Sequence, residues 1–432
     1  MLQNKIDNYF FILFSIIPIS IIIGSSVSLG NILLIDLSFI ILLIYKKDFF
    51  FLKNKTVKFI LLLYLYLIFN SIISLDFSFG AARNFGFIRW IIFFVALNYF
   101  FYKKNFINKV FIIWTILIII IFLDIFFEVY FGKNILGFGG EEFGKRIVSF
   151  FKDEPIVGGY VNAFYLIIIG YLFFIFKNHS KIYQIVIIII SVLFVIAILL
   201  TGERSNAIKS LVGIFIFYSL FKNFSIKEKM FYFLAVLILL VGTVLTSDFL
   251  KIRYINQITG YNYNVYDLDG KKDYKKNIFT KNIFAQPHKT IYFKIYRSGI
   301  NVFKDNPIFG VGNKNYRISA CKIYNKKDKN YSKEFVCTTH PHQMYIEFLS
   351  EHGLVGTIVL ILILYKLIFM KFKIISKSNN YIQLGCISYL MTLFVPILPG
   401  GAFFGDFNST LFWLNLSVMY AANPKTNIFE NY

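Results

Sequence analysis

The residues best suited to chemistry lie together between Cys337 and Thr357, a stretch that reads C-T-T-H-P-H-Q-M-Y-I-E-F-L-S-E-H-G-L-V-G-T. Pro341 fits the first position of a helix, where its fixed φ is suitable and its missing N–H costs nothing. Thr339 or His340 is then expected to cap that helix. This places His342 in the first turn, where the positive end of the helix dipole disfavours an imidazolium and free N–H groups favour an anion. A neutral imidazole beside an anion site can serve as a general base next to a phosphate. The alternative is a histidine that only hydrogen-bonds at a membrane surface. Glu347 and Glu351 follow on the same helix, either orienting His342 and binding sugar or forming a solvated face.

The chain has seven arginines: Arg83, Arg89, Arg146, Arg204, Arg253, Arg297 and Arg317. Arginine's planar fork binds phosphate and carboxylate in two-pronged fashion, which lysine's point charge does not. Asp124 and Glu128 share a helix face at i and i+4 near the outer end of a span, Asp36 lies near the outer end of another, and Arg89 is placed to pair with them. Intramembrane ionisable groups normally face a cavity or a partner, so these acids point to a polar cavity that opens outward.

These groups need a scaffold, and composition defines it. With 57% hydrophobic and 16% charged residues in 432, the chain is a polytopic membrane protein and not a soluble domain. The formal charge of +22 is explained by the membrane, so no nucleic-acid partner is expected. Met1–Asn8 is followed by an apolar run with no convincing cleavage site, which reads as a first span. Apolar runs predict an all-α fold of about twelve transmembrane helices. They lie at Phe10–Ile23, Ile32–Tyr45, Val57–Leu75, Phe85–Tyr102, Val110–Tyr130, Gly159–Phe176, Ile182–Leu200, Ala207–Phe221, Met230–Leu245, Leu354–Met370, Tyr381–Leu398 and Thr410–Ala422.

Alternate loops carry lysines, including Lys46 to Lys58, Lys103 to Lys109, Lys177 and Lys181, Lys222 to Lys229 and Lys371 to Lys377, but no arginine. The positive-inside rule makes those loops and both termini cytoplasmic. The arginines therefore belong to the outer half. The expected layout is a membrane bundle over residues 1–246 with an outward loop at 132–158, a large outward loop at 247–341 between spans 9 and 10, and a final section at 342–432. Within the large loop, Tyr261–Asn282 reads as irregular and Lys289–Asp305 as an amphipathic helix, stopped by Asn306-Pro307 and followed by a turn at Gly310-Val311-Gly312. Cys321 and Cys337 lie in this loop, where an oxidising periplasm permits a disulfide. A metal held by them with His340 and His342 fits no standard zinc spacing.

His342-Gln343, nine intervening residues, then Gly353-x-x-Gly356-Thr357 resembles the periplasmic signature of the bacterial O-antigen ligase family. Thr201-Gly-Glu-Arg-Ser-Asn-Ala resembles a short family loop that keeps an arginine, here Arg204. Arg146-Ile-Val-Ser-Phe-Phe resembles the family's R-x-x-G-x-F segment with Ser149 in place of the usual glycine, and Glu154 follows in the same loop. Lys304-Asp-Asn-Pro-Ile-Phe-Gly-Val-Gly also looks familial, but Tyr292 stands where many members carry an arginine, and Arg297 lies nearby.

The resemblance implies transfer of a glycan from undecaprenyl diphosphate to lipid A-core on the periplasmic face of a bacterial inner membrane, without cofactor or metal. It implies His342 as the catalytic histidine and Arg204, with Arg297 or Arg146, at the diphosphate; Glu154 and Arg89 are further substrate-binding candidates. A polymerase of the same superfamily would use another lipid-linked glycan as acceptor. Protein O-glycosylation is related to both, and a transporter of an anionic lipid or sugar is the rival from another class.

Overall fold

The computed structural model describes residues 2–103, 106–140, 146–152, 154–176, 179–256, 290–327 and 337–430, and among them every regular element is helical. The chain opens with α1 (Leu2–Ser15) and α2 (Ile17–Ile23), an apolar pair bent by 45° where Pro18 cannot supply the next helical N–H. Then come α3 (Ser25–Lys46), α4 (Lys55–Ile72), α5 (Phe77–Phe85), α6 (Ile88–Lys103), α7 (Ile107–Phe131), α8 (Val157–Ile175), α9 (Lys181–Leu200), α10 (Arg204–Leu220) and α11 (Ile226–Thr246). The rest comprises α12 (Asp248–Lys251), α13 (Ile291–Asp305), α14 (Tyr316–Lys327), α15 (Met344–Phe369), α16 (Phe372–Lys377), α17 (Tyr381–Thr392) and α18 (Asp406–Ala421). The irregular tract expected at Tyr261–Asn282 lies outside the described residues.

All the runs expected to span are largely helical, but among the described residues eight helices, or nine if α1 and α2 form one bent span, are long and apolar enough to cross a membrane. The others, α10, α17 and α18, have 17, 12 and 16 residues. The run expected to continue to Leu398 stops at Thr392, ahead of a segment that holds Pro396, Pro399, Gly400 and Gly401. That segment is free to fold back over the end of the bundle.

α8, α17 and α18 form the buried centre. α17 packs on α8 at backbone distance, because a Cβ at Gly170 or Gly385 would overlap the facing backbone at Tyr381 or Leu166. α11, by contrast, has only 11% of its apolar window buried and stands at the edge, facing hydrocarbon. The two ends of the bundle differ in charge type. At one, Lys46 Nζ donates to the Tyr99 hydroxyl (2.8 Å) and Lys222 Nζ to the Lys377 carbonyl (2.8 Å). At the other lie the ends of α7 and α9, the starts of α8, α10, α15 and α18, and the arginines.

The segment before α15 departs from the expected cap. Gln343 is the cap, its side chain accepting from Ile346 N–H (2.9 Å), so Pro341 and His342 precede the helix. Ten residues later α15 breaks at Gly353 (φ 64°, ψ −171°), a conformation essentially restricted to glycine. The freed groups pair with the segment after α13: Val311 and Gly312 N–H donate to Ser350 and Glu351 O (3.0 and 2.8 Å), and Leu354 and Val355 N–H donate to Pro307 and Ile308 O (2.8 and 3.1 Å). Non-helical backbone at such depth survives only when protein satisfies it in this way. Gly310 (φ 69°) permits the contact, since a Cβ there would strike the backbone of Glu351, His352 and Gly353. Thr357 Oγ1 donates to Gly353 O (2.6 Å), and Gly356 leaves room for the Tyr66 hydroxyl.

α13 starts at Ile291 with Thr290 as its cap, close to the expected helix, and lays Ile295, Ser298, Gly299 and Val302 inward, with Gly299 against Ile346 of α15 and Pro341. Cys321 in α14 is disulfide-bonded to Cys337. Gly353→Ala would add the cost of a forbidden backbone region, about 1–3 kcal/mol, to a clash with Ile308 O. The expected outcome is a lower melting temperature of the detergent-solubilised protein, whereas Leu354→Ala, at an exposed neighbouring position, melts close to wild type.

Candidate active site

His342 sits in the turn before α15 at φ 53°, and its carbonyl accepts from Gly400 N–H (2.8 Å), which ties it to the segment after α17. It is therefore not in the first helical turn but one residue ahead of the cap. Its ring meets two others: His340 at a centroid distance of 4.0 Å and Tyr292 at 6.3 Å. Burial lowers the pKa of His342. His340 is pushed down to about 4 by burial, then by His342 and by the Arg83 and Arg317 charges. Both imidazoles are thus neutral at pH 7 for reasons of desolvation, not through the helix dipole.

On the Tyr292 side lies a group of arginines. Arg253, in the turn after α12, donates from Nε and Nη2 to Gly202 O (3.2 and 2.8 Å). Its pKa falls to about 10, first through burial and then through the Arg204 and Arg146 charges, so the three guanidiniums share one field, with Tyr254 and Tyr292 beside them. Arg146 Nη2 donates to Pro155 O (2.9 Å), while its Nε is buried with no hydrogen-bond partner. Glu203 does not neutralise the group freely: its carboxylate accepts from Gly158 and Gly159 N–H (2.6 and 3.2 Å) and from Asn206 (2.6 Å), capping α8. A cleft of about 440 Å³ leads from Arg146, between Glu128, Leu200 and Phe249, to Tyr130 and Phe131, which are 83% and 63% exposed on the outside.

Several candidates from the sequence have other places. Arg297 follows Tyr292 by five residues, about 140° round α13, and is exposed on another face of the helix. Arg89 pairs with Asp406 at the start of α18, not with Asp124 or Glu128. Those two acids hold the loop after α7: Asp124 accepts from Ile135 N–H (3.1 Å) and the Ser149 hydroxyl, and Glu128 from Val148 and Ser149 N–H (3.1 and 2.6 Å). Ser149, where the resemblance led to the expectation of a glycine, has a left-handed backbone (φ 50°). Glu154 is exposed at the edge of the same loop.

Glu347 and Glu351 form no solvated face; both are buried. Glu347 accepts Phe403 N–H with both oxygens (2.9 and 3.1 Å), and Glu351 accepts Tyr316 N–H (3.3 Å). They fasten the surrounding loops to α15. Arg253 was legible in the sequence only as one outward arginine among several, because it is 49 residues from Arg204 and shares no motif with it.

Residues 189–361 match the model of the family described as O-antigen ligase. Over those residues the chain is similar to the O-antigen ligase family. The matched segment carries Arg204, Arg253, Tyr292, His342 and the Gly353 break, whereas Arg146 lies ahead of it. No curated protein matches the chain. The arrangement supplies a neutral imidazole with a cationic recess on one side. With Cε1-labelled histidine, NMR titration should show His342 with a midpoint below that of an ordinary imidazole and His340 with a midpoint near pH 4.

Proposed function

We propose that the protein transfers a glycan from undecaprenyl diphosphate to a hydroxyl of lipid A-core at the periplasmic face of a bacterial inner membrane, with both termini cytoplasmic. The observation that carries this reading is the order Arg146, Arg204 and Arg253, then Tyr292, then His342. The donor diphosphate would lie among the three guanidiniums, its polyprenyl chain leaving through the cleft towards Tyr130 and Phe131.

His342 takes the proton of the acceptor hydroxyl, the oxygen forms a bond to the anomeric carbon, and the carbon–oxygen bond to the diphosphate breaks with its electron pair leaving on phosphate. The guanidiniums hold that charge, and the imidazolium returns its proton to the leaving diphosphate or water. Tyr292, in place of a second arginine on α13, contributes a hydroxyl and an aromatic face, while Arg253 supplies the charge from another element. A polymerase would use the same steps with a lipid-linked glycan as acceptor.

The test is a transfer assay with protein in lipid, offering undecaprenyl-diphosphate glycan with lipid A-core or without a separate acceptor. Product on lipid A-core is expected from wild type and should fall about 10²–10⁴-fold in His342→Ala. Arg253→Gln should lose about 10²-fold, comparable with loss of one oxyanion donor, and Arg297→Gln should stay within about twofold. Longer lipid-linked chains without lipid A-core would make the protein a polymerase. Donor movement across the bilayer with no covalent product would overturn the transferase reading.

A further inference from the structure

The outer end holds a second group of cations that the proposed diphosphate recess does not use. Arg83 on α5 and Arg317 in the first turn of α14 both lie within the electrostatic reach of Lys314 and of His340. His340 stands between the two cationic groups, because its ring lies against that of His342. The order across the site is thus the arginine trio, Tyr292, His342, His340 and then Arg83, Lys314 and Arg317.

The second group is built and is not an accident of surface lysines. The Cys321–Cys337 disulfide joins α14, one turn beyond Arg317, to the strand of chain that reaches His340 three residues later. Lys314 is held at φ 66° between Asn313 and Asn315, both buried. Asn313 N–H donates to Asn70 (2.8 Å), and Asn315 accepts from Asp76 N–H (3.0 Å), so α4 and α5 fix the turn from the other side.

The cations keep unused donors. Among the described residues, Arg317 Nε and His340 Nε2 are buried with no hydrogen-bond partner, and Arg83 Nη1 donates to Asn313 Oδ1 at 3.5 Å. The nearby acids are Glu347, Glu351 and Asp406. Glu347 is committed to Phe403 N–H and Asp406 to Arg89, while Glu351 gives one oxygen to Tyr316 N–H.

We propose that Arg83, Lys314, Arg317 and His340 bind an anionic group, phosphate or carboxylate, carried by the acceptor glycan close to the hydroxyl that reacts. The inference rests on the transferase reading, since it takes His342 as the point where donor and acceptor meet. Two arginine forks and an ammonium suit either oxyanion. Placing the acceptor's charge across the histidine pair from the donor diphosphate keeps the two anions apart and orients the hydroxyl towards His342.

The experiment uses the full chain in lipid nanodiscs and the acceptor that supports transfer, offered intact, phosphatase-treated or carboxyl-reduced. Arg317→Gln and Lys314→Gln should each raise KM for the intact acceptor about tenfold, leaving kcat and the donor KM within about twofold. Whichever treatment abolishes that difference between wild type and variant identifies phosphate or carboxylate as the ligand. Equal KM values for wild type and both variants on intact acceptor, in proteins with unchanged melting temperatures, would overturn the proposal. So would a KM increase that persists after both treatments, which would mark a structural role.

A second measurement is independent of turnover: calorimetric binding of a phosphorylated core oligosaccharide to His342→Ala protein, with and without Lys314→Gln. Binding weakened about tenfold by the substitution supports the subsite even where transfer fails. Unchanged binding, or none of either a phosphorylated or an acidic oligosaccharide, counts against it. Absence of transfer from every acceptor by wild type would instead be failure of the transferase reading.

Discussion

The break in α15 at Gly353 is the constraint on which the arginine-bearing end of the molecule depends. A helix interrupted inside a membrane protein leaves N–H and C=O groups that hydrocarbon cannot satisfy. Here residues 307–312 satisfy four of them directly, through bonds to Ser350, Glu351, Leu354 and Val355. The break thereby fixes the segment that joins α13 to α14. α13 brings Tyr292 to His342, and α14 brings Arg317 towards His340. The glycines and threonine after His342 are thus the joint that aligns the histidines with Tyr292 and Arg317, and need not touch substrate themselves.

Buried acids do a related task. Asp124, Glu128, Glu203, Glu347 and Glu351 each accept backbone N–H groups from a loop or from the start of a helix. A carboxylate that accepts main-chain N–H groups satisfies donors that a loop folded into the bundle end would otherwise leave unpaired. Arg146 and Arg317, meanwhile, each keep a buried Nε without a hydrogen-bond partner among the described residues. Acids therefore build the walls of the site while arginines and histidines face into it, although sequence places both classes in the same short segments.

Two departures from the family pattern become intelligible in three dimensions. Ser149 adopts the left-handed backbone that glycine would take, and the cost is offset locally: its N–H reaches Glu128 and its hydroxyl Asp124. On α13 it is Tyr292, not Arg297, that meets the His342 ring, and Arg253, from the turn after α12, shares the field of Arg204 and Arg146.

What the sequence determined by itself was everything carried by local composition: the apolar runs and their helicity, the sorting of lysine and arginine, the amphipathic helix before Asn306, and the His342 to Thr357 motif that the family match contains. These follow from hydropathy, periodicity and fixed spacing, which act over tens of residues or fewer. Only the tertiary structure decided that Arg253 joins Arg146 and Arg204, that Arg89 turns to Asp406, and that Glu347 and Glu351 face inward. Those choices depend on which loops fold over the bundle end and whose N–H groups need acceptors. Chain segments separated by fifty to three hundred residues meet there, and no local pattern encodes which of them will.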